Sequence, residues 1–220
     1  MANKAFDLGN ALRVYFVADP SQSPAPITDV VAAALAGGVT MVQLRAKSMH
    51  DRGAYALGRV LLQACRTTGA GFIVNDRLDL ALALGADGIH LGVDDLPIEE
   101  ARRLSPPGLI IGYSPETDEQ ARRARDRGAN YLGVGPVYGT VSKTDAGGAI
   151  GIGVLERRLW LSRLPTIGIG GVTPENASEV ISAGASGVAV IGAIARARDP
   201  ETAARSLRES VDGAFAKRRV

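Results

Sequence analysis

The chain has 220 residues, of which 46% are hydrophobic, and its formal net charge is only +2. This length and composition predict one large domain that spans residues 1–220 and has a substantial core. The small positive surplus lies largely at the C-terminus, at 217–219, and aromatic residues are scarce, which argues against a nucleic-acid-binding surface. Arginines at 102–103, 122–127 and 157–158 lie on separate predicted helices, and we interpret them as parts of solvated helix faces.

The single cysteine and the length of the apolar runs limit where such a chain can work. Cys65 lies on a predicted helix whose apolar residues recur at i, i+3 and i+4, so we expect a buried thiol and not a nucleophile. A lone cysteine excludes a disulfide framework and fits a reducing compartment. No apolar run approaches the ~20 residues of a membrane span, and the N-terminus lacks the apolar core of a signal peptide. We therefore expect a soluble, cytoplasmic protein with no membrane partner and no nucleic-acid partner.

Predicted strands and helices alternate along the whole chain. The strands are Arg13–Ala18, Met41–Arg45, Phe72–Val74, Gly88–Leu91, Leu109–Tyr113, Tyr131–Gly135, Thr166–Ile169 and Gly187–Ile191. The helices between and after them are Ile27–Ala36, Asp51–Thr68, Leu78–Leu84, Ile98–Leu104, one opened by a capping box of Thr117 and Gln120, one around Val154–Leu161, one with Thr173 as N-cap and Pro174 at its first position, a short one near Ala193 and a long one from Thr202.

Eight such units in this length predict a compact (β/α)8 TIM barrel, an α/β fold. The alternative is a doubly wound open sheet, which is disfavoured because no G-x-G-x-x-G follows the first strand. In either fold, the residues just after each strand meet at one end of the sheet, where sites are built.

Two aspartates follow neighbouring strands of one predicted βαβ unit, in the stretch from Ile73 to Asp95. Asp76 comes directly after the third strand, and Asp95 follows the fourth. Parallel strands place both carboxylates at the same end, and such a pair suggests a divalent cation that bridges them to an anion. Alternatively, each aspartate caps the helix that follows it.

Other strand ends carry groups suited to anions. Gln43, Arg45 and Lys47 alternate, so all three point to one side if the strand continues, and the two cations suit phosphate oxygens. The loop after the sixth strand offers Thr140, Ser142 and Lys143. The alternatives are that the two cations are a surface pair on a loop and that the loop after the sixth strand is simply a Ser/Thr-rich turn.

Glycines follow the seventh and eighth strands, in the run 168–171 and in Ile191-Gly192-Ala193. Exposed backbone N–H groups there form the phosphate site common to many barrels, although glycines also serve tight turns. We interpret His90 as a hydrogen-bonded core histidine and not as a base. Ser114 is interpreted as a polar residue at a strand end. Together these residues predict two anion pockets, one for a monophosphate and one for a pyrophosphate. No lysine lies within a strand, which disfavours Schiff-base chemistry.

These residues resemble the thiamine-phosphate synthase family along nearly the whole chain. The matching motifs are Tyr15 in VYFV, Q-x-R-x-K at 43–47, VND at 74–76, ADGIHLG at 86–92 followed by Asp95, Ser114, GPVY-x-T at 135–140 with Lys143, GIGG at 168–171 and the turn after the eighth strand. The resemblance implies a (β/α)8 barrel enzyme, a transferase of thiamine biosynthesis. Such an enzyme joins 4-amino-2-methyl-5-hydroxymethylpyrimidine diphosphate to a thiazole phosphate and releases diphosphate through a pyrimidinylmethyl cation.

The resemblance also implies roles for single residues. It implies that Asp76 and Asp95 hold Mg²⁺ as cofactor. The implied diphosphate ligands are Arg45, Lys47, Asn75 and Lys143; Gln43 and Ser114 lie near the aminopyrimidine, Tyr15 and His90 are further substrate-site residues, and Thr140, Ser142, Gly171, Ile191 and Gly192 hold the thiazole phosphate. Of these, Arg45, Lys47, Ser114 and Lys143 are the implied catalytic residues. Gly192 stands where the family frequently has serine, so a hydroxyl contact is replaced by backbone alone.

Two other functions remain open at this stage. A related thiazole tautomerase shares the barrel and the phosphate site but needs no diphosphate metal site. A non-catalytic barrel that senses a phosphorylated metabolite would bind ligand without turnover. The aspartate pair and the three cations favour the synthase. The partners expected are small molecules, and the sequence does not define an oligomeric state.

Overall fold

Eight parallel strands close into a barrel in the order of the sequence, β1 to β8. The computed structural model describes residues 7–140 and 148–218. Every strand pairs in parallel with its two neighbours, and β8 returns to β1, where Tyr15 lies opposite Ala189. The predicted (β/α)8 barrel is therefore confirmed, and the doubly wound open sheet is excluded by the closure of β8 on β1.

The bounds of the elements follow the predicted pattern closely. The strands are β1 Val14–Ala18, β2 Met41–Leu44, β3 Gly71–Asn75, β4 Gly88–Leu91, β5 Ile110–Tyr113, β6 Tyr131–Val134, β7 Thr166–Ile169 and β8 Gly187–Val190. The helices are α1 Leu8–Ala11, α2 Ile27–Ala36, α3 Asp51–Thr68, α4 Leu78–Leu84, α5 Ile98–Leu104, α6 Asp118–Ala124, α7 Gly151–Ser162, α8 Ala177–Ser182, α9 Gly192–Ala195 and α10 Pro200–Arg218. The short helix α1 and a 3₁₀ turn at Pro20–Gln22 were not predicted.

Alternation along the strands divides the core into two shells. Tyr15 and Val17 of β1 belong to a cluster inside the barrel, whereas Phe16 between them packs in the layer between the strands and the helices. This is the two-residue period of a strand, applied to a sheet that is buried on both faces. Inward positions near the carboxyl ends of the strands therefore open towards the same end of the barrel. That end is where the predicted site residues meet.

Local signals in the sequence fix several helix ends. The predicted capping box is present, since Thr117 accepts from the Gln120 backbone N–H while the Gln120 side chain accepts from Thr117 N. Gly85 ends α4 in the left-handed conformation, with φ of 66°, a position that disfavours residues with a Cβ. Among the described residues, no helix is both long and apolar enough to cross a membrane.

One predicted helix start was wrong. The helix expected to begin with Thr173 as N-cap and Pro174 at its first position begins at Ala177. Residues 174–176 form a turn before this helix, and the Asn176 side chain folds back over it. Its Oδ1 accepts from Thr173 N at 2.8 Å, and its Nδ2 donates to Gly171 O at 3.0 Å. The turn holds Gly171 next to the end of β7.

The interpretation of the helix arginines as solvated was also wrong at two positions. Arg158 is 7% exposed and donates to Pro115 O at 2.9 Å. Arg102 is partly buried and donates to Leu109 O at 2.7 Å and to Asn130 Oδ1 at 2.6 Å. Both guanidinium groups bind main-chain carbonyls at the ends of neighbouring elements, a function that a helical periodicity of charges does not reveal.

Candidate active site

A cavity of about 450 Å³ lies at the carboxyl ends of the strands. Most of the residues predicted for the site line it: Arg45, Lys47, Asn75, Asp76, His90, Asp95, Ser114, Thr140, Gly171, Ile191 and Gly192. Within the described part of the chain, Tyr15 and Gln43 do not line this cavity but lie behind its wall. Ser142 and Lys143 fall outside the described residues. The barrel thus brings together residues that are spread over more than a hundred positions of the sequence.

The two predicted aspartates meet in the cavity wall. Asp95 lies within hydrogen-bonding reach of Asp76, and Lys47 Nζ is 3.1 Å from Asp76 Oδ2. Burial raises the pKa of Asp76, and the neighbouring Asp95 raises it further, while Lys47 opposes both effects. Asp95 Oδ2 also accepts from Gly92 N at 2.6 Å. The pair is therefore a concentration of negative charge that one lysine only partly neutralises.

Backbone conformation sets the direction of the Asp76 side chain. Asp76 has φ of 62°, in the left-handed region that residues other than glycine rarely adopt. Arg77 N donates to Asn75 O at 2.7 Å around it, which closes a tight turn, and Asp76 N donates to His90 O at 2.9 Å. Such strained residues concentrate at functional sites, where surrounding bonds hold them in place.

The cation Arg45 is held by a partner that sequence reasoning missed. Its Nη1 forms an ion pair with Asp19 Oδ2, and both side chains are largely buried, at 14% and 4% exposure. Asp19 also accepts from Ser21 N at 2.9 Å and from Ser21 Oγ at 2.7 Å. Asp19 directly follows β1, and β1 lies beside the strand that carries Arg45. This position in the sequence is the signal that could have suggested the pair.

Asn75 places the amide donor of its side chain at the cavity wall. Its Nδ2 is buried and, among the described residues, has no hydrogen-bond acceptor. An unpaired buried amide is costly, roughly 1–3 kcal/mol, so such a group usually has a ligand or a water in the working protein. Asn75 lines the cavity next to the aspartate pair. An anion placed there would accept from it.

Glycines form the opposite wall of the cavity. Gly171 has φ of 64°, and a Cβ on it would lie 2.5 Å from Gly139 O in the loop after β6. A side chain is therefore excluded at this position. Gly192 is the first residue of α9, directly after the cavity-lining Ile191. Gly171 and Gly192 both line this side of the cavity, which is where the sequence predicts a phosphate pocket.

Five polar side chains form one hydrogen-bonded chain that runs from the barrel interior to the cavity wall. Gln43 Nε2 donates to Tyr15 OH at 2.8 Å, the hydroxyls of Tyr15 and Tyr131 are 2.9 Å apart, Tyr131 OH is 2.9 Å from His90 Nδ1, and His90 Nε2 is 2.8 Å from Ser114 Oγ. His90 is thus a hydrogen-bonded barrel histidine, as predicted. Tyr131 was missed, although its place at an inward position of β6 is the signal that could have found it.

The loop that carries Ser114 is fixed from outside the barrel. Arg158 of α7 donates to Pro115 O at 2.9 Å and also to Glu116 O, and it is 3.4 Å from Asp118 Oδ1. These bonds hold the two residues that follow Ser114. The buried guanidinium therefore positions one wall of the cavity without lining it.

Comparisons with known proteins find relatives over most of the chain. A family model described as thiamine monophosphate synthase matches residues 14–194. The chain is 50% identical over 192 residues to a thiamine-phosphate synthase of Roseiflexus sp. (strain RS-1), covering 87% of this chain and 81% of that protein. It is 49% identical over 192 residues to a thiamine-phosphate synthase of Moorella thermoacetica, covering 87% of this chain and 91% of that protein. A solved structure of a thiamine phosphate pyrophosphorylase from Pyrococcus furiosus superposes with a TM-score of 0.88 at 39% identity, covering 95% of this chain and all of that one.

Proposed function

Because the chain belongs to the thiamine monophosphate synthase family, we propose that the cavity at the carboxyl ends of its strands is the active site of a thiamine-phosphate synthase. The chain is an enzyme of this kind, a transferase of thiamine biosynthesis that acts on small molecules. In our proposal it joins 4-amino-2-methyl-5-hydroxymethylpyrimidine diphosphate to 4-methyl-5-(2-phosphooxyethyl)thiazole and releases diphosphate; when the carboxylate of that thiazole is the substrate, CO2 is released as well. The buried lone cysteine and a biosynthetic role support a cytoplasmic location.

One observation carries the proposal: a single cavity has two walls of different chemistry, each suited to an anion. One wall presents Arg45, Lys47 and the unpaired Nδ2 of Asn75, beside the aspartate pair. The opposite wall presents the glycine backbone at 171 and 192. A substrate with a diphosphate and a second substrate with a monophosphate would fill both walls and meet between them.

The aspartate pair fits Mg²⁺, which we propose as the cofactor. Asp76 and Asp95 bring two carboxylates together; burial raises the pKa of Asp76, and the neighbouring Asp95 raises it further. Within the described residues, no cluster of three or more metal-binding side chains is present. Two carboxylates are enough for Mg²⁺, which commonly keeps several waters and takes its other ligands from substrate phosphates. Bound there, the ion would neutralise negative charge on the diphosphate as it departs.

The other residues bind and orient the two substrates. In the proposed reaction, the bond between the pyrimidine methylene carbon and the diphosphate oxygen breaks first, and both electrons leave with the diphosphate. Arg45 and Lys47, with Asn75, stabilise the charge on this leaving group, and Asp19 keeps the Arg45 guanidinium in place. Lys143, in the loop outside the described residues, would add a third cation.

The remaining bond forms between the thiazole nitrogen and the pyrimidine methylene carbon. Gly171 and Gly192, with Ile191, Thr140 and Ser142, hold the thiazole phosphate so that its nitrogen faces that carbon. Gln43 and Ser114 orient the aminopyrimidine, whose amino group stabilises the positive charge after diphosphate leaves. No group has to remove a proton for this bond to form, which agrees with a cavity whose histidine is already engaged on both ring nitrogens.

Diphosphate release from the pyrimidine diphosphate tests the proposal. We expect release that needs both substrates and Mg²⁺ and that stops in EDTA, with thiamine phosphate formed in equal amount. Lys47→Met should lower turnover severely, whereas Lys217→Met, which removes an exposed lysine of α10, should not. Binding of thiazole phosphate without any diphosphate release would contradict the proposed reaction.

A further inference from the structure

The hydrogen-bonded chain behind the cavity, Gln43–Tyr15–Tyr131–His90–Ser114, runs from β2 to the loop after β5. Of its five members, His90 and Ser114 line the cavity, and both tyrosines are fully buried. Burial raises the pKa of the Tyr15 and Tyr131 hydroxyls, so both keep their protons. Each tyrosine therefore has one proton to donate, and the question is in which direction the protons point.

The donors and acceptors of the chain fix that direction. Gln43 Nε2 can only donate, so Tyr15 OH accepts from it at 2.8 Å. Tyr15 must then donate its own proton to Tyr131 OH, since a buried hydroxyl proton without an acceptor is costly. By the same argument Tyr131 donates to His90 Nδ1. All three bonds run towards the histidine.

The direction of these bonds determines the tautomer of the imidazole. A neutral histidine whose Nδ1 accepts a hydrogen bond carries its proton on Nε2, and this proton is donated to Ser114 Oγ. Because the Ser114 oxygen already accepts from His90, its own proton is left for the cavity. We propose that Tyr131 is a positioning residue that holds His90 as the Nε2–H tautomer and thereby presents Ser114 to the substrate as a hydrogen-bond donor. The proposal rests on the proposed function for the identity of the acceptor, which would be a ring nitrogen of the aminopyrimidine.

Two glycines leave space for the hydrogen-bonded side chains Tyr131, His90 and Ser114 inside the barrel. A Cβ on Gly112 of β5 would lie 2.2 Å from Tyr131 Cζ and 2.4 Å from His90 Nδ1. A Cβ on Gly133 of β6 would lie 3.1 Å from His90 Cε1 and 3.3 Å from Ser114 Oγ. Neighbouring strands thus lack side chains at the positions that the tyrosine and histidine occupy. The contact between Tyr131 and His90 is therefore built into the interior of the barrel.

The first test measures the His90 tautomer in the absence of substrate. The chain has only two histidines, so long-range ¹H–¹⁵N spectra of the whole protein are simple, and His50→Gln assigns the pair. We expect the Nε2–H form for His90 in the unmodified protein and a mixture with the Nδ1–H form in Tyr131→Phe. A histidine that carries its proton on Nδ1 in the unmodified protein, or that stays purely Nε2–H in Tyr131→Phe, would overturn the proposal.

Tyr15→Phe is the matched control, because it removes the same atom from the same buried chain. With Tyr15 unable to bond, Tyr131 has His90 as its remaining neighbour in the chain, so His90 should keep the Nε2–H form. A tautomer change in Tyr15→Phe as large as in Tyr131→Phe would show that the tautomer follows packing and not the Tyr131 hydroxyl, which refutes the proposed role. If Tyr131→Phe does not fold, the unmodified protein still tests the proposal, because His90 protonated on Nδ1 there would overturn it.

The second test concerns the Ser114 proton. Dissociation constants are measured for the pyrimidine diphosphate and for an analogue in which the acceptor ring nitrogen is replaced by C–H. The unmodified protein should bind the nitrogen compound about tenfold more tightly, as one hydrogen bond allows, and Tyr131→Phe should lose most of this preference. Equal preferences in the two proteins would overturn the proposal. The tautomer measurement contains no substrate, so its failure is distinguishable from failure of the diphosphate-release assay that tests the function.

Discussion

Arg158 and Arg157 are adjacent on α7 and form a matched pair for testing how the Ser114 loop is held. The Arg158 side chain is 8% exposed and binds the main chain after Ser114, whereas the Arg157 side chain is 55% exposed and pairs only with Asp118 among the described residues. We predict that Arg158→Met destabilises the fold and impairs turnover, and that Arg157→Met does neither. Methionine keeps most of the apolar stem and removes the guanidinium.

The structure allows the cost of Arg158→Met to be worked out. The substitution leaves two carbonyl oxygens without their donor, and an unpaired buried carbonyl costs about 1–3 kcal/mol. Pro115 is buried and bears this cost in full, while the exposed Glu116 can exchange the lost bond for water. The total is therefore about 1–3 kcal/mol, which lowers the unfolding midpoint of a domain of this size by roughly 2–12 °C. Arg157→Met should change the stability by less than about 1 kcal/mol, as for other exposed ion pairs.

Thermal unfolding followed by circular dichroism and the diphosphate-release assay measure the two effects. Below its unfolding midpoint, Arg158→Met should lose about tenfold or more in kcat/KM, because small displacements of a substrate-orienting group are costly. Arg157→Met should stay within about twofold of the unmodified protein. If the two variants unfold at the same temperature, the reasoning from the buried carbonyls is refuted. If Arg158→Met is unstable but fully active, the loop does not depend on Arg158 for its position.

Three further predictions follow from single residues. Asp76→Asn should raise the unfolding midpoint of the metal-free protein, because the pKa of Asp76 is raised in the folded state and its ionisation therefore costs folding stability at neutral pH. The same substitution should lower Mg²⁺-dependent turnover about 100-fold, and unchanged turnover would show that Asp76 has no part in the reaction. In a urea titration, Gly112→Ala should lower the free energy of unfolding by about 1–3 kcal/mol, and Gly133→Ala should lower it by less, because the contacts of a Cβ at position 133 are longer. Equal effects would contradict the crowding around Gly112. Burial raises the pKa of Cys65 to about 12, so mass spectrometry should find it alkylated in urea and unmodified in the folded protein, and labelling of the folded protein would count against its burial.

Periodicity and strand ends were enough to predict the barrel and most of the cavity wall. The 3.6-residue pattern marks the buried face of a helix, whereas the strands of this barrel are buried on both faces and therefore stand out as short apolar runs. Strand ends such as Val74-Asn75-Asp76 then place polar groups at one end of the barrel without any knowledge of side-chain contacts. The aspartate pair could therefore be predicted from the sequence alone.

The groups that hold the site in place were missed, because their function depends on partners that are distant in the sequence. Asp19 looks like a turn residue until Arg45 is placed beside it on the next strand. Tyr131 looks like an ordinary apolar strand residue until His90 and Tyr15 are known to face it. Arg158 belongs to a helix whose charges suggest a solvated face, and it is buried because α7 packs against α6 and the residues that follow β5. Hydrogen-bond partners across a barrel leave no regular spacing in the sequence.

The two walls of the cavity differ in how much folding stability is lost in forming them. At Asp76 the chain accepts a left-handed backbone, partial burial of a carboxylate and a second carboxylate within hydrogen-bonding reach, and among the described residues Lys47 alone pairs with it. Each of these costs stability, so the conformation must be imposed by its surroundings, here by the backbone bonds of Asp76 and Arg77. The glycine wall carries no such conflict, because positive φ is natural to Gly171. With metal and substrate bound as proposed, the ions would offset the cost at the aspartate wall but not at the glycine wall, so we expect any energetic coupling between metal and substrate on the aspartate side.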